Sequence, residues 1–207
     1  MHRYYNIIHP YFALLPDAKS ELQTHLESAS NIVRDTFNAA ITIAVKSSDH
    51  TMTDEDMIKS SAICMQGQLD KPSVYSPAEN VLQLQALIFM IIANHNGGPS
   101  RIVDMKWYGL ATTLAMSMEL HEQNGPVVAN DKNVLGINQL GRRAWLILLV
   151  LDRWHATSTR NPLLIADKFT YLHLSDHHLL GTSGWHLVRM LYHSQHGFFF
   201  SPSDISF

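Results

Sequence analysis

The stretch Gly141–Pro162, GRRAWLILLVLDRWHATSTRNP, decides the fold class. Its apolar centre, Trp145 to Leu151, is bracketed by Arg142-Arg143 on one side and Asp152-Arg153-Trp154 on the other. Leu140, Ala144, Ile147, Leu148, Leu151 and His155 recur at spacings of three and four, the period of one face of a buried helix. The charges sit awkwardly for such a helix. The arginines stand near its start, where the macrodipole favours anions, and Asp152 near its end, where it favours cations. In an isolated helix this costs on the order of a few tenths of a kcal/mol per charge, so partners elsewhere in the fold must outweigh it. A buried Asp-Arg dipeptide beside an aromatic is therefore expected to form an ionic cluster.

The flanking sequence reads the same way. Ser20 to Val45 carries one long helical stripe through Leu22, Leu26, Ile32 or Val33, Phe37, Ala40 or Ile41, and Ala44. Thr53 followed by Asp54-Glu55-Asp56 supplies a cap and an acidic first turn for a second helix. Lys71 to Pro77 is a Pro/Ser loop, and Ser76-Pro77-Ala78-Glu79 starts a third helix with Ser at the cap and Glu three residues on. From Ala78 to about Asn94 that helix is apolar nearly all round, which places it at the centre of a bundle. NHNGGPS ends it in a glycine turn.

The next helix, near Arg101 to Glu122, has Val103, Trp107, Leu110, Leu114 and Met118 on one face, with Gly109, Ala111 and Ala115 available for close approach. A polar loop over 124–133 follows. The opening to Pro16 reads as an irregular lead-in. Beyond Pro162 come a short extended piece, a histidine-rich patch and one more helix near Trp185 to His193. Strands are scarce, so the expected fold is all-α, an irregular multi-helix bundle around a central apolar helix.

Composition narrows the function. The chain has 207 residues, enough for one domain or one and a half, with 46% apolar and only 16% charged residues. A net charge of −3 argues against gripping nucleic acid unaided, because phosphate neutralisation needs surplus Lys and Arg. The lone Cys64 rules out an internal disulfide or a cysteine-rich zinc site and reads as a small buried hydrophobe. The N-terminus lacks a signal-like apolar run, and the stretches Leu82–Ala93 and Ala144–Leu151 are too short to span a bilayer, so an intracellular soluble protein is expected.

Three segments together resemble the regulatory domain, or middle homology region, of fungal zinc-cluster transcription factors. Tyr5 with Ile8-His9-Pro10-Tyr11-Phe12 is similar to that family's Tyr…(Val/Ile)-His-Pro-x-Phe lead-in. Trp107-Tyr108-Gly109-Leu110-Ala111, Ala115-Met116 and Leu120-His121 resemble its Trp-x-x-(Gly)-x-Ala…Met-Ala…Gly-Leu-His helix. Arg142-Arg143-Ala144-Trp145, Leu151-Asp152-Arg153 and Pro162-Leu163-Leu164-Ile165 resemble its Arg-Arg-x-(Phe)-Trp…Leu-Asp-Arg…Gly-Arg-Pro-x-x-Ile. Order and spacing agree over roughly residues 4 to 172. Glu119 stands where the family usually has Gly, residues 158–162 replace a plain Gly-Arg-Pro, and Leu172-His173 lacks the usual Pro.

The resemblance implies a regulatory domain over residues 1–172, with its core motifs in 78–165, and a C-terminal helical extension over 173–207. It implies a nuclear regulator of transcription whose DNA is read by an N-terminal six-cysteine cluster holding two zinc ions. That cluster is absent here, so no zinc, cofactor or DNA contact is assigned to this chain, which is expected to be a fragment. DNA reached through the missing domain, transcriptional co-regulators and a small-metabolite effector are the implied partners, with no membrane.

The candidate site residues are Trp107, Arg142, Arg143, Trp145, Asp152 and Arg153. The arginine forks suit a carboxylate or phosphate effector. Buried charges are ordinarily paired within the protein, so an internal network that docks the central helices is the preferred reading. Trp145 and Trp154 are read as core before they are read as a pocket. His173, His177 and His178, with His193 and His196 later and Asp167 and Asp176 nearby, have neither an HExxH pattern nor supporting cysteines, so no metal is assigned. There is no Gly-x-Ser-x-Gly elbow and no phosphate loop; Gly181-Thr182-Ser183-Gly184 is a turn. An enzyme is not expected. The alternative is a helical scaffold or small-molecule-binding module unrelated to transcription, and the tail Gly197-Phe198-Phe199-Phe200 is a candidate contact surface for absent sequence.

Overall fold

The computed structural model describes residues 2–69, 75–96, 101–122, 136–166, 172 and 176–196. Among them are eight helices and no strand: α1 (His2–Ile7), α2 (Lys19–Ser28), α3 (Asn31–Ser48), α4 (Asp54–Leu69), α5 (Pro77–Asn96), α6 (Arg101–Ser117), α7 (Ile137–Thr159) and α8 (Asp176–His196). The fold is all-α. The expected loop over 124–133, the glycines of NHNGGPS, most of the Lys71–Pro77 loop, His173, Asp167 and the tail from Gly197 lie outside the described residues.

α5 occupies the position its all-round apolarity predicts. Every residue from Val81 to Asn94 is buried, and the helix packs against α3, α4, α6 and α7. Its three buried amides are tied down: Gln85 Nε2 donates to the Leu14 carbonyl (2.7 Å), Gln83 accepts from Gln68 (2.9 Å) and Asn94 donates to Met90 (2.9 Å). At its start Ser76 and Glu79 form the expected reciprocal cap. The Glu79 carboxylate takes the Ser76 N–H (3.0 Å) and hydroxyl (2.9 Å), while Ser76 Oγ takes the Glu79 N–H (3.2 Å). Thr53 and Asp56 do the same for α4, and Asp56 also meets Lys46 of α3 at 2.6 Å.

Five sequence expectations need correction. The single helix over 20–45 is two, because the chain turns extended at Ala29 and Ser30. The second oxygen of Glu79 accepts the Ser30 N–H (3.0 Å), so one carboxylate fixes the starts of both α3 and α5. Those amides, Ser30 first and then Ser76, hold its pKa down at about 2. The lead-in is partly helical, as α1. α6 stops at Ser117 rather than near Glu122, and Gly109, expected at a close approach, faces open space. The intimate contact lies elsewhere: a Cβ at Gly67 of α4 would collide with the Thr36 hydroxyl of α3. Finally, α8 begins at Asp176, ahead of the expected helix, and breaks at Gly181 with φ +66°.

α7 itself is longer than its sequence pattern. It runs 23 residues, which puts Arg142 and Arg143 in its second turn and Asp152 two turns before its end. The macrodipole acts mainly in the first and last turns, so the expected penalty on these charges largely disappears. What fixes them is desolvation, since every residue from Leu140 to Arg153 is buried.

Candidate functional site

The four charged candidates do not form one cluster. Arg142, Arg143 and the Asp152-Arg153 pair reach from α7 to different parts of the chain. Arg142 makes a two-pronged contact with Asp176 at the start of α8, Nε to Oδ1 at 3.2 Å and Nη2 to Oδ2 at 2.9 Å, and its Nη1 donates to the Leu120 carbonyl (3.2 Å). Both side chains are at most 4% exposed. Arg143 turns the other way. Its Nη1 donates to the Leu15 carbonyl in the lead-in (2.9 Å) and lies 3.5 Å from the exposed Asp17 carboxylate. Burial lowers the Arg143 pKa from its usual value, with Asp17 and Tyr4 pulling it back up.

Asp152 and Arg153 act together on the segment after α7. The Asp152 carboxylate accepts the N–H groups of Leu164 (3.1 Å) and Ile165 (3.2 Å) and the Arg153 guanidinium (2.8 Å), while the same Arg153 nitrogen donates to the Ile165 carbonyl (3.1 Å). Burial pushes the Asp152 pKa up; the two amides and Arg153 oppose it. The spacing between Asp152-Arg153 and Leu164-Ile165 thus has a structural meaning. The dipeptide folds the chain back onto the end of its own helix.

Trp107 and Trp145 are wholly buried in the core, and their indole N–H groups have no acceptor among the described residues. Trp154, read as core, is 55% exposed. Two further centres carry no sequence signal strong enough to single them out. The Tyr4 hydroxyl, fully buried, accepts the N–H groups of Leu14 (3.0 Å) and Leu15 (3.2 Å), donates to the Phe12 carbonyl (3.1 Å), and lies 3.2 Å from His9 Nδ1. His9 Nε2 in turn faces Asp17 (3.2 Å). The family-like Tyr5 is the less buried neighbour and only ties down Pro16 (2.8 Å).

The second centre borders a groove of about 520 Å³ between the lead-in and the C-terminal ends of α3, α5 and α7. Tyr108 donates its proton to the Leu151 carbonyl (2.8 Å), so His95 Nε2, 2.8 Å from the same oxygen, is the donor to Tyr108. His155 contacts both rings, tilted against Tyr108 with centroids 5.1 Å apart and edge-on to His95 at 5.6 Å. Desolvation, and then the proximity of His155, lowers the His95 pKa below the usual imidazole value. None of the six sequence candidates lines this groove; Trp154 does.

Against known proteins, the chain is 32% identical over 197 residues to a Schizosaccharomyces pombe protein described as an uncharacterized transcriptional regulatory protein. The alignment covers 91% of this chain and 23% of that relative. The chain therefore spans about a quarter of the relative's length. No family model and no solved structure matches it.

His177 and His178 lie on the first turn of α8 with rings 5.6 Å apart, and His177 meets Trp185 edge-on at 6.1 Å. Among the described residues no three His, Cys, Asp or Glu side chains converge as a metal site would require, and no helix is long and apolar enough to cross a membrane. Cys64 is buried against α3, and burial pushes its thiol up to about 12.

Proposed function

We propose that this chain is a regulatory, non-catalytic domain of a fungal sequence-specific transcription factor. In this reading residues 1–172 are the regulatory domain and 173–207 its C-terminal extension. It acts in the nucleus through contacts with the rest of its own protein, with co-regulators or with a small effector, and DNA is bound by a zinc-cluster domain outside this chain. The observation that carries the reading is the similarity, across nine-tenths of the chain, to a protein described as a transcriptional regulator. The resemblance of the three sequence segments supports it. So does the use to which the third segment is put, since its Arg142, Arg143, Asp152 and Arg153 hold four separate stretches of chain, at Leu15, Leu120, Leu164-Ile165 and Asp176, against α7.

The test is to tether the whole chain to a heterologous DNA-binding module at a reporter promoter in yeast. The expected result is a change in reporter output relative to the module alone, in either direction. Unchanged output from a fusion shown to be folded and bound at the promoter would sink the regulatory reading and leave a scaffold or binding module unconnected with transcription.

A further inference from the structure

We infer that the groove between the lead-in and the C-terminal ends of α3, α5 and α7 is a binding site for a small, uncharged, planar, ring-bearing molecule that donates a hydrogen bond to His95. Among the described residues the exposed large aromatics are Tyr11, at 73%, and Trp154, at 55%, and both line this one groove. Trp154 is the more telling, because its neighbours on α7 from Leu140 to Arg153, and His155 beyond it, are all buried. An indole left in water within such a helix forgoes a large burial energy, which a flat ligand stacked on it would recover.

The floor is apolar, made by Ile8, Ile92 and Leu151. No Asp, Glu, Lys or Arg is among the lining residues, so a charged ligand would be desolvated there without a counter-charge. The arginines that first suggested an anionic effector are engaged elsewhere, by Asp176, Leu120, Leu15 and Ile165. Of the polar lining groups, Asn96 donates to the Ser48 hydroxyl (3.1 Å), and Ser48 and Ser158 donate to the carbonyls of Ala44 (2.9 Å) and His155 (3.1 Å). His95 commits Nε2–H to Tyr108, which leaves Nδ1 as an acceptor. His50 stands on the wall in a left-handed conformation (φ +56°) that the turn ending α3 imposes. The volume, about 520 Å³, falls within the roughly 300–1,000 Å³ of small-ligand pockets.

This inference deepens the effector part of the regulatory reading, but its test does not depend on transcription. The purified full chain is titrated with N-phenyl-1-naphthylamine, a neutral aromatic amine whose emission rises on leaving water, and with its anionic counterpart 1-anilinonaphthalene-8-sulfonate. Binding of the neutral probe is expected, about tenfold weaker in Trp154→Ala and weakened also in Tyr11→Ala. Trp154→Phe should recover most of the affinity. Ile58→Ala, at an exposed position of α4 outside the groove, should change nothing. Both aromatic positions are exposed, so their variants keep the core intact, and unaltered thermal unfolding confirms it. No binding of the neutral probe, equal affinity in Trp154→Ala, or tighter binding of the sulfonate overturns the inference. Probe binding with a silent reporter would leave the site standing and remove the regulatory role; a responsive reporter without probe binding would do the reverse.

Discussion

Asp152 is 1% exposed and surrounded by donors: two backbone N–H groups from Leu164 and Ile165 and the guanidinium of Arg153. Removing the carboxylate takes the shared acceptor from the two N–H groups and the buried counter-charge from Arg153, which keeps its bond to the Ile165 carbonyl. Asp152→Ala should therefore destabilise the protein by about 3 kcal/mol, read as a drop in the urea midpoint at constant slope. A loss below about 0.5 kcal/mol would mean that water replaces the carboxylate and that the site is open. The burial of these charges is legible in sequence, because they interrupt an apolar helical stripe. Their partners are not. Asp176, Leu15 and Leu120 lie far along the chain from Arg142 and Arg143 and carry no local mark of the contact. Hence the sequence predicts one cluster of four charges, whereas Arg142, Arg143 and the Asp152-Arg153 pair engage different parts of the fold.

At the scale of the element, two helix ends share a device. After α6, the Leu120 N–H reaches back to the Ala115 carbonyl (3.2 Å) and the Glu119 N–H to Met116 (3.0 Å), with Glu119 left-handed at φ +54°. The end of α3 repeats this with His50 in the left-handed place, Thr51 bonding to Lys46 (2.9 Å) and His50 to Ser47 (3.1 Å). Glycine is the usual occupant because it has no Cβ to strain. The sequence had marked Glu119 as a departure from a family glycine, and the backbone there is one that glycine suits best. Glu119→Gly should raise stability by about 0.5–1 kcal/mol, measured by chemical denaturation, the relief of strain exceeding the added freedom of the unfolded chain. A decrease would show that the Glu119 side chain makes a contact worth more than the strain. The helices were legible where apolar period and cap agree, as at Ser76-Pro77-Ala78-Glu79. The break between α2 and α3 was not, since the apolar stripe runs on past Ala29-Ser30 and the group that fixes the break is Glu79, far downstream.

For the molecule as a whole, burial sets the response to acid. His9 and His95 both have pKa values lowered from 6.5, each chiefly by desolvation. The folded state therefore resists protonation that the unfolded chain accepts. Their neutral forms cost nothing above pH 6.5; as pH falls through that value the unfolded chain gains protons first, and stability declines until the folded-state pKa values are passed. The denaturation midpoint should fall between about pH 7.5 and about pH 5.5, and His9→Gln combined with His95→Gln should flatten that fall, whatever it does to the midpoint at neutral pH. An identical slope in the double variant would assign the acid sensitivity to other groups. The all-α architecture with α5 at its centre was readable from apolarity alone, but the groove was not, because it is made of ends. Its residues come from the lead-in and from the last turns of three helices, where no periodic signal gathers them. The ion pair between Arg142 and Asp176 also bears on where this chain can be shortened. A truncation after Leu172, at the boundary suggested by motif content, would delete the carboxylate and leave a guanidinium in the interior facing no counter-ion from α8. A piece that keeps the first turn of α8 should therefore unfold at a higher denaturant midpoint than one cut after Leu172, so that turn bears on the stability of the helix it is packed against.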